Sequence, residues 1–376
     1  MSEYQYYEFQ ALDRPLTESE QAYIRSLSRR VSLTPTQAIF TYQYGNFPGD
    51  PKKILRMYFD AMLYIANWGT RQLMFRLPRS VTDVSELDRY CFPRIITTSV
   101  TKDSVILDIC FHEEKGGHWV EGEGQLSALR MLRNDILRGD FRVLYLAWLK
   151  TAQLEGARGS GEKQLEPPVP ADLQNLSDPL KAFVELFEID NDLISVASEA
   201  SLPRNDDSEQ FGKWVAALPE HERNQFLVRV ARGEAHVDVQ LLKRLREISL
   251  NNQKMHAPSA PHQRTLSGLL TAGRERTRYR EEQQRQEAEQ ARIRKLNALA
   301  KKEKVVWERV YALIETKQPK AYDEAVICLV ELHRLAQHIG QLDRFQTQIN
   351  KIHQGYRNRP GLLSRLQQAG LGKDRL

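Results

Sequence analysis

Asp108, Cys110 and His112 alternate along one β-prone segment and so share a face, with Cys91 upstream and His118, Glu121 and Glu123 shortly downstream. Thiolate, imidazole and carboxylate are the groups of metal sites and of Cys–His nucleophiles. Side chains two apart on a strand stand about 7 Å from each other, from a rise of roughly 3.3 Å per residue, too far for a direct thiol–imidazole hydrogen bond. Glu113-x-Lys115 matches the end of a nuclease metal motif, yet such triplets arise by chance in a chain with 27% charged residues. The 97–112 sheet face is therefore an enzyme or metal candidate, with Asp108, Cys110 and His112 as catalytic candidates. The plain alternative is a half-exposed sheet surface.

Other motifs are weaker. The turn from Gly45 to Lys53 joins two glycines, a helix start and Lys52-Lys53, but it is no G-x-x-x-x-G-K-[ST] loop, and Asp50 occupies the anion position at the helix start. A capped turn is expected. Asp190-Asn191-Asp192 begins like a calcium loop yet lacks its Gly and closing Glu, so a helix cap is expected there too. No G-x-S-x-G, H-E-x-x-H or G-x-G-x-x-G occurs, which favours no particular reaction and calls for no cofactor or metal.

Charge offers a second candidate. Residues 274 to 304 hold 11 Lys and Arg against 6 Asp and Glu, and such a helix can lie along nucleic-acid phosphates through Arg276, Arg278, Arg280, Lys301 and Lys302. The plain reading is a solvated helix held by pairs such as Glu281 with Arg285. Over longer windows, residues 1–150 carry 19 Lys and Arg against 18 acids, residues 151–205 carry 4 against 10, and residues 206–376 carry 31 against 21. The middle is acidic and the tail basic.

The elements that position these residues follow from periodicity and caps. Strands are expected at Tyr4 to Gln10, Thr36 to Tyr44 and Arg71 to Leu77. A capping box at Thr17 to Glu20 opens a helix to about Arg30. Asp50 and Pro51 open a second helix carrying Leu55, Tyr58, Phe59, Met62, Leu63 and Ile65 to about Trp68-Gly69. A short helix from Asp83 to Tyr90 precedes a hairpin whose turn is Lys102-Asp103, with Val105, Leu107 and Ile109 facing Val100, Thr98 and Ile96. Helices at Gln125 to Leu137 and Asp140 to Leu154 complete the region.

Beyond it the chain reads as helical. The expected class is α+β, mostly α: an N-terminal α/β domain with a mixed sheet over residues 1–154, a linker at 155–170, and a helical domain of four or five helices at 171–248. A second linker at 249–264 then leads to a long charged helix with a C-terminal helical module at 265–376. Arg274 to Lys317 lacks Pro and Gly, which predicts one helix exceeding roughly 60 Å at 1.5 Å per residue. Three shorter helices follow, from Lys320, Leu342 and Gly361, the first and last closed by Gly340 and Gly370. Their apolar positions Tyr322, Ala325, Leu329, Leu332 and Leu335, then Phe345, Ile349, Ile352 and Tyr356, resemble tetratricopeptide-like hairpins, which implies protein contact, with Trp307, Tyr322, Leu329 and Leu335 as the partner-binding candidates.

At 376 residues, two or three folding units are expected. The opening lacks a signal-peptide pattern, no apolar run approaches about 18 residues, and the three cysteines are far apart, so a cytoplasmic chain with reduced thiols is expected.

The opening Glu3-Tyr4-Gln5-Tyr6-Tyr7-Glu8-Phe9-Gln10-Ala11-Leu12-Asp13-Arg14-Pro15-Leu16, Tyr64-Ile65-Ala66-Asn67-Trp68-Gly69, and the segment from Ile314 to Ala325 resemble an uncharacterised bacterial protein family. The likeness covers most of the chain and carries no active-site residues. It implies a place beside SWIM-type zinc-finger proteins in bacterial gene neighbourhoods, hence a partner-binding role. The zinc ligands would belong to the partner, since this chain has no C-x-C…C-x-H pattern. The expectation is an interaction protein acting through helical modules. The alternatives are a nucleic-acid-associated factor using residues 274–304, or an enzyme on the 97–112 face.

Overall fold

The computed structural model describes residues 3–113, 121–157, 164–203, 208–253 and 264–372. The class is mixed α and β, mostly helical, with the strands at the N-terminal end. Seven strands, β1 (Gln5–Gln10), β2 (Ser32–Leu33), β3 (Gln37–Tyr42), β4 (Ala61–Ala66), β5 (Thr70–Pro78), β6 (Ile96–Val100) and β7 (Ser104–His112), form one sheet in the order β2-β3-β1-β4-β5-β7-β6. Every pairing is antiparallel, so the sheet is not the mixed one expected. The β6–β7 register places Ile96, Thr98 and Val100 opposite Ile109, Leu107 and Val105, as the facing-pair count predicts.

Two helices cover one face. In α1 (Glu18–Leu27) the Thr17–Glu20 capping box is present, and in α2 (Pro51–Tyr58) Asp50 Oδ1 accepts from the backbone N–H groups of Lys52 and Lys53 at 2.9 and 3.3 Å. Ile24, Ile54 and Leu55 from these helices bury against Phe9, Phe40, Met62 and Met74 of the sheet. Phe47, carried by the Gly45 turn, lies 4.9 Å from the Tyr7 ring and 5.0 Å from that of Phe40, which anchors the turn in this core.

The expected continuation of α2 to Trp68 is corrected: the helix stops at Tyr58 and the next residues form β4. The run from Phe59 to Ala66 is almost unbroken in apolar residues because β4 lies between β1 and β5 with both faces covered. Ala61, Leu63 and Ile65 enter one core, and Met62 the other. A helix buried on all sides gives the same pattern, so periodicity cannot separate the two.

The opposite face carries α3 (Val84–Asp88), α4 (Gln125–Leu129), α5 (Met131–Leu137), α6 (Arg142–Ala157), α7 (Asp178–Leu186) and α8 (Asn191–Ser198), followed by α9 (Ser208–Ala217), α10 (Glu220–Ala231) and α11 (Val237–Gln253). Asp190 caps α8 through the N–H of Asp192 at 2.8 Å, as expected of a plain cap. The larger core runs from Leu73, Leu107 and Ile109 of the sheet through Trp148 of α6 to Phe183, Leu193 and Val239. Phe111 of β7 meets Phe187 at 5.4 Å. Apolar contact thus crosses the 155–170 segment, and the chain divides once, into residues Met1–Thr277 and Arg278–Leu376.

That division falls within α12 (Leu266–Ala300). The unbroken helix expected from Arg274 to Lys317 is interrupted at Lys301-Lys302, where Lys302 N–H bonds the carbonyl of Leu299 at 2.9 Å, and α13 (Glu303–Glu315) begins afresh. The turn lets Leu296 of α12 and Val310 and Ile314 of α13 enter one core, a tertiary demand that no Pro or Gly announces. With α14 (Pro319–Ile339), α15 (Leu342–Gly355) and α16 (Pro360–Gln368), these complete the second unit. Gly340 ends α14 at φ 69°, the left-handed cap expected of a glycine there.

Candidate functional site

Asp108, Cys110 and His112 lie on the α1–α2 side of the sheet, where β7 runs beside β5 and pairs Cys110 with Gln72 and His112 with Thr70. Each group has work to do. Asp108 accepts from Gln72 Nε2 at 2.7 Å and meets Lys52 Nζ of α2 at 3.4 Å. His112 Nδ1 and Thr70 Oγ1 are 2.8 Å apart. Burial, then the Asp108 charge, pushes the Cys110 thiol up to about 11, so it stays protonated at neutral pH and is a poor nucleophile. Beside them Tyr7 and Tyr64 stack at 4.4 Å, and both hydroxyls reach Gln5 Oε1, at 3.0 and 3.3 Å. Among the described residues no three His, Cys, Asp or Glu side chains form a metal-holding group.

The remaining members of that cluster are separated. Glu121 and Glu123 act on Tyr4 and Tyr6, and Tyr6 belongs to the core of the opposite face. Cys91 lies by Asp88 at 3.8 Å, and burial followed by that carboxylate raises its thiol to about 11. Glu113 is taken by the buried Lys150 of α6 at 2.7 Å. His118 and Lys115 lie outside the described residues.

In the second unit Tyr322, Leu329 and Leu335 are buried with Val310, Ile314, Ile349 and Leu362, so their work is to hold the helices together. Trp307 is half-buried. It lines a hollow of about 50 Å³ walled by Leu332, Leu335, Ala336 and Phe345, with Glu303 and Arg344 also in the lining. Its ring lies 5.8 Å from that of Phe345. All five basic candidates, Arg276, Arg278, Arg280, Lys301 and Lys302, are exposed, and Arg276 pairs with Glu199 at 2.5 Å. From Arg278 to Arg292 every residue of α12 is exposed, leaving no apolar stripe on that stretch.

Two features escape the sequence. One is a buried ionic network joining the 10–13 segment, β5 and α5. Arg133 donates to both oxygens of Asp13, at 2.8 and 2.7 Å, and to the carbonyl of Arg76 at 2.8 Å, while Asp60 accepts from the N–H groups of Leu12 and Asp13 and from Arg76. The other is a basic layer formed by α1 and α2. The near balance of charge over residues 1–150 conceals it, whereas residues 21 to 58 alone contain six Lys and Arg and a single acid, Asp50. A narrower charge window is the signal that finds it.

Comparison with protein-family models, with curated proteins and with solved structures finds no match for this chain. Among the described residues no helix is long and apolar enough to cross a membrane.

Proposed function

We propose that this chain is a protein-interaction subunit whose C-terminal helical unit docks a partner through the Trp307 hollow. The observation that carries the reading is a half-buried tryptophan beside a small hollow of mixed lining, with Glu303 and Arg344 in its wall. Tryptophan and arginine around a desolvated pocket are the usual anchors of protein interfaces. The partner supplies a small apolar side chain between charged neighbours. The bacterial family that the chain resembles makes a zinc-finger protein the first partner to look for. Affinity purification of the tagged full-length chain from native bacterial cells tests this, with Trp307→Ala and Arg344→Glu alongside wild type. Each variant should keep its helical circular dichroism and recover at least tenfold less partner. Equal recovery by both variants would remove the hollow from the interface.

A second reading has its own observation. Arg278, Arg280, Lys301 and Lys302 are exposed on a stretch rich in cations, which supports non-specific contact with nucleic-acid phosphates. Reversing all four to Glu should abolish a low-salt gel shift that maps to this helix. An enzyme on the 97–112 face finds no support in a protonated Cys110 and an engaged Asp108.

A further inference from the structure

The outward side of the α1–α2 layer combines unpaired positive charge with exposed aromatic surface. Ile24 of α1 and Ile54 and Leu55 of α2 point into the core, which turns Arg25, Lys53, Arg56 and Met57 outward, with Arg29 and Arg30 in the turn after α1. Tyr23 and Tyr58 join the two helices, their rings 5.3 Å apart, and Tyr23 remains 43% and Met57 48% exposed. Arg25, Arg29, Arg30, Lys53 and Arg56 are all exposed, and among the described residues none meets a carboxylate; only Lys52 is drawn away, to Asp108. By contrast, Arg14, Arg71, Arg76, Arg133, Arg142 and Arg264 each hold an acid.

The acids nearby are already committed. Asp50 spends Oδ1 on two backbone N–H groups at the start of α2, and Glu20 is held by Arg14 at 2.6 Å, leaving the exposed Glu18 at the first turn of α1. A layer of five uncompensated cations attracts a polyanion, and Lys53 and Arg56, three apart on α2, stand about 6 Å from each other, close to the spacing of successive phosphates on a single strand. Tyr23, open on one side and backed by Tyr58, supplies a platform on which a base can stack. A duplex hides its base faces, and a lipid surface offers no ring to stack.

We propose that the α1–α2 layer is a binding surface for single-stranded nucleic acid, contacting phosphates through Arg25, Arg29, Arg30, Lys53 and Arg56 and stacking a base on Tyr23.

The test is fluorescence anisotropy of the full-length chain with labelled twenty-residue oligothymidylate and oligouridylate, a duplex of the same length, and phosphatidylcholine–phosphatidylserine vesicles. The single strands should bind more tightly than the duplex at low salt, with a log affinity slope near −3.5 against log salt, from about −0.7 per phosphate for five contacts. The variant Arg25→Glu, Arg29→Glu, Lys53→Glu, Arg56→Glu should lose at least tenfold in affinity. The corresponding four Gln substitutions should show a smaller loss, keeping the test valid should charge reversal disturb folding. Tyr23→Ala should weaken binding about fivefold with the salt slope unchanged, from about 1 kcal/mol for one stacked base. The proposal is overturned by no single-strand binding at low salt, or by duplex bound as tightly as single strand. It is equally overturned by vesicle binding in place of strand binding, or by affinity that survives the α1–α2 substitutions and is lost only on reversing Arg278, Arg280, Lys301 and Lys302.

Discussion

Arg133 is 1% exposed and is bonded to Asp13, to the Arg76 carbonyl and, at 3.5 Å, paired with Asp60. Removing it takes a buried guanidinium from Asp13 and from the Arg76 carbonyl and weakens the charge balance around the buried Asp60, so Arg133→Ala should cost about 3–5 kcal/mol, read from the urea midpoint. A loss under 1 kcal/mol would mean that water replaces the guanidinium freely. Burial alone would raise the Asp13 carboxyl, but hydrogen bonds from His236 and Arg133, with their charges, hold it well below the usual range. A depressed folded value stabilises the fold above the unfolded pKa of about 3.9 and loses that contribution as pH falls towards the folded value. Asp13→Asn should therefore be less stable at pH 7 and lose less between pH 5 and pH 3 than wild type; parallel acid profiles would assign the acid sensitivity to other carboxylates. At Cys110 the thiol, raised to about 11 by burial and then by Asp108, should alkylate far more slowly at pH 8 than a free cysteine. Cys110→Ala and His112→Ala should leave melting temperature and partner recovery nearly unchanged, and a large loss of recovery in either would restore the 97–112 face as a working site.

Among the elements, α14 carries the second unit, since Ala325, Leu329, Leu332 and Leu335 along one face meet residues of α13, α15 and α16. Leu329 is fully buried, so Leu329→Ala should destabilise by about 2–5 kcal/mol, the span set by how far the cavity collapses. Hydrogen exchange should then rise across α13 to α16 while β4, β5 and β7 keep their protection. Faster exchange in both sets of elements would mean that the two units unfold as one. Elements with two-sided patterning were legible in the sequence. The capping box of α1, the Asp50 cap of α2 and the β6–β7 register followed from residues whose chemistry permits one local answer. β4 was not, because a strand covered on both faces has no alternation to read.

For the whole molecule, composition pointed to a boundary at 155–170, whereas the core joins residues on both sides of it. Two neighbouring clasps reinforce that core. Glu166 takes Arg264 at 2.7 Å and the Tyr145 hydroxyl, and Arg71 of β5 bonds the Leu186 carbonyl at 2.6 Å and Glu188 at 2.8 Å. A protease site engineered into residues 158–163 and then cut should leave the two fragments eluting together on size exclusion without denaturant. Separate elution would make the sheet domain independent of the helices that follow it.

By itself the sequence determined the local events and the class: caps, hairpin register, the glycine stop after α14 and a mostly helical chain behind a sheet, because these depend on backbone chemistry within a few residues. Tertiary structure decided what depends on residues far apart. It made Phe59 to Ala66 a strand by setting it between β1 and β5, and broke the helix at Lys301-Lys302 so that Leu296 and Val310 could share a core. It buried Tyr322, Leu329 and Leu335 and left Trp307 half-buried, because which part of an apolar stripe meets solvent is settled by the helices packed on it. The cations of α1 and α2 are visible in a list of residues, but they became one surface only when Ile24, Ile54 and Leu55 turned inward and left Arg25, Lys53, Arg56 and Tyr23 facing out.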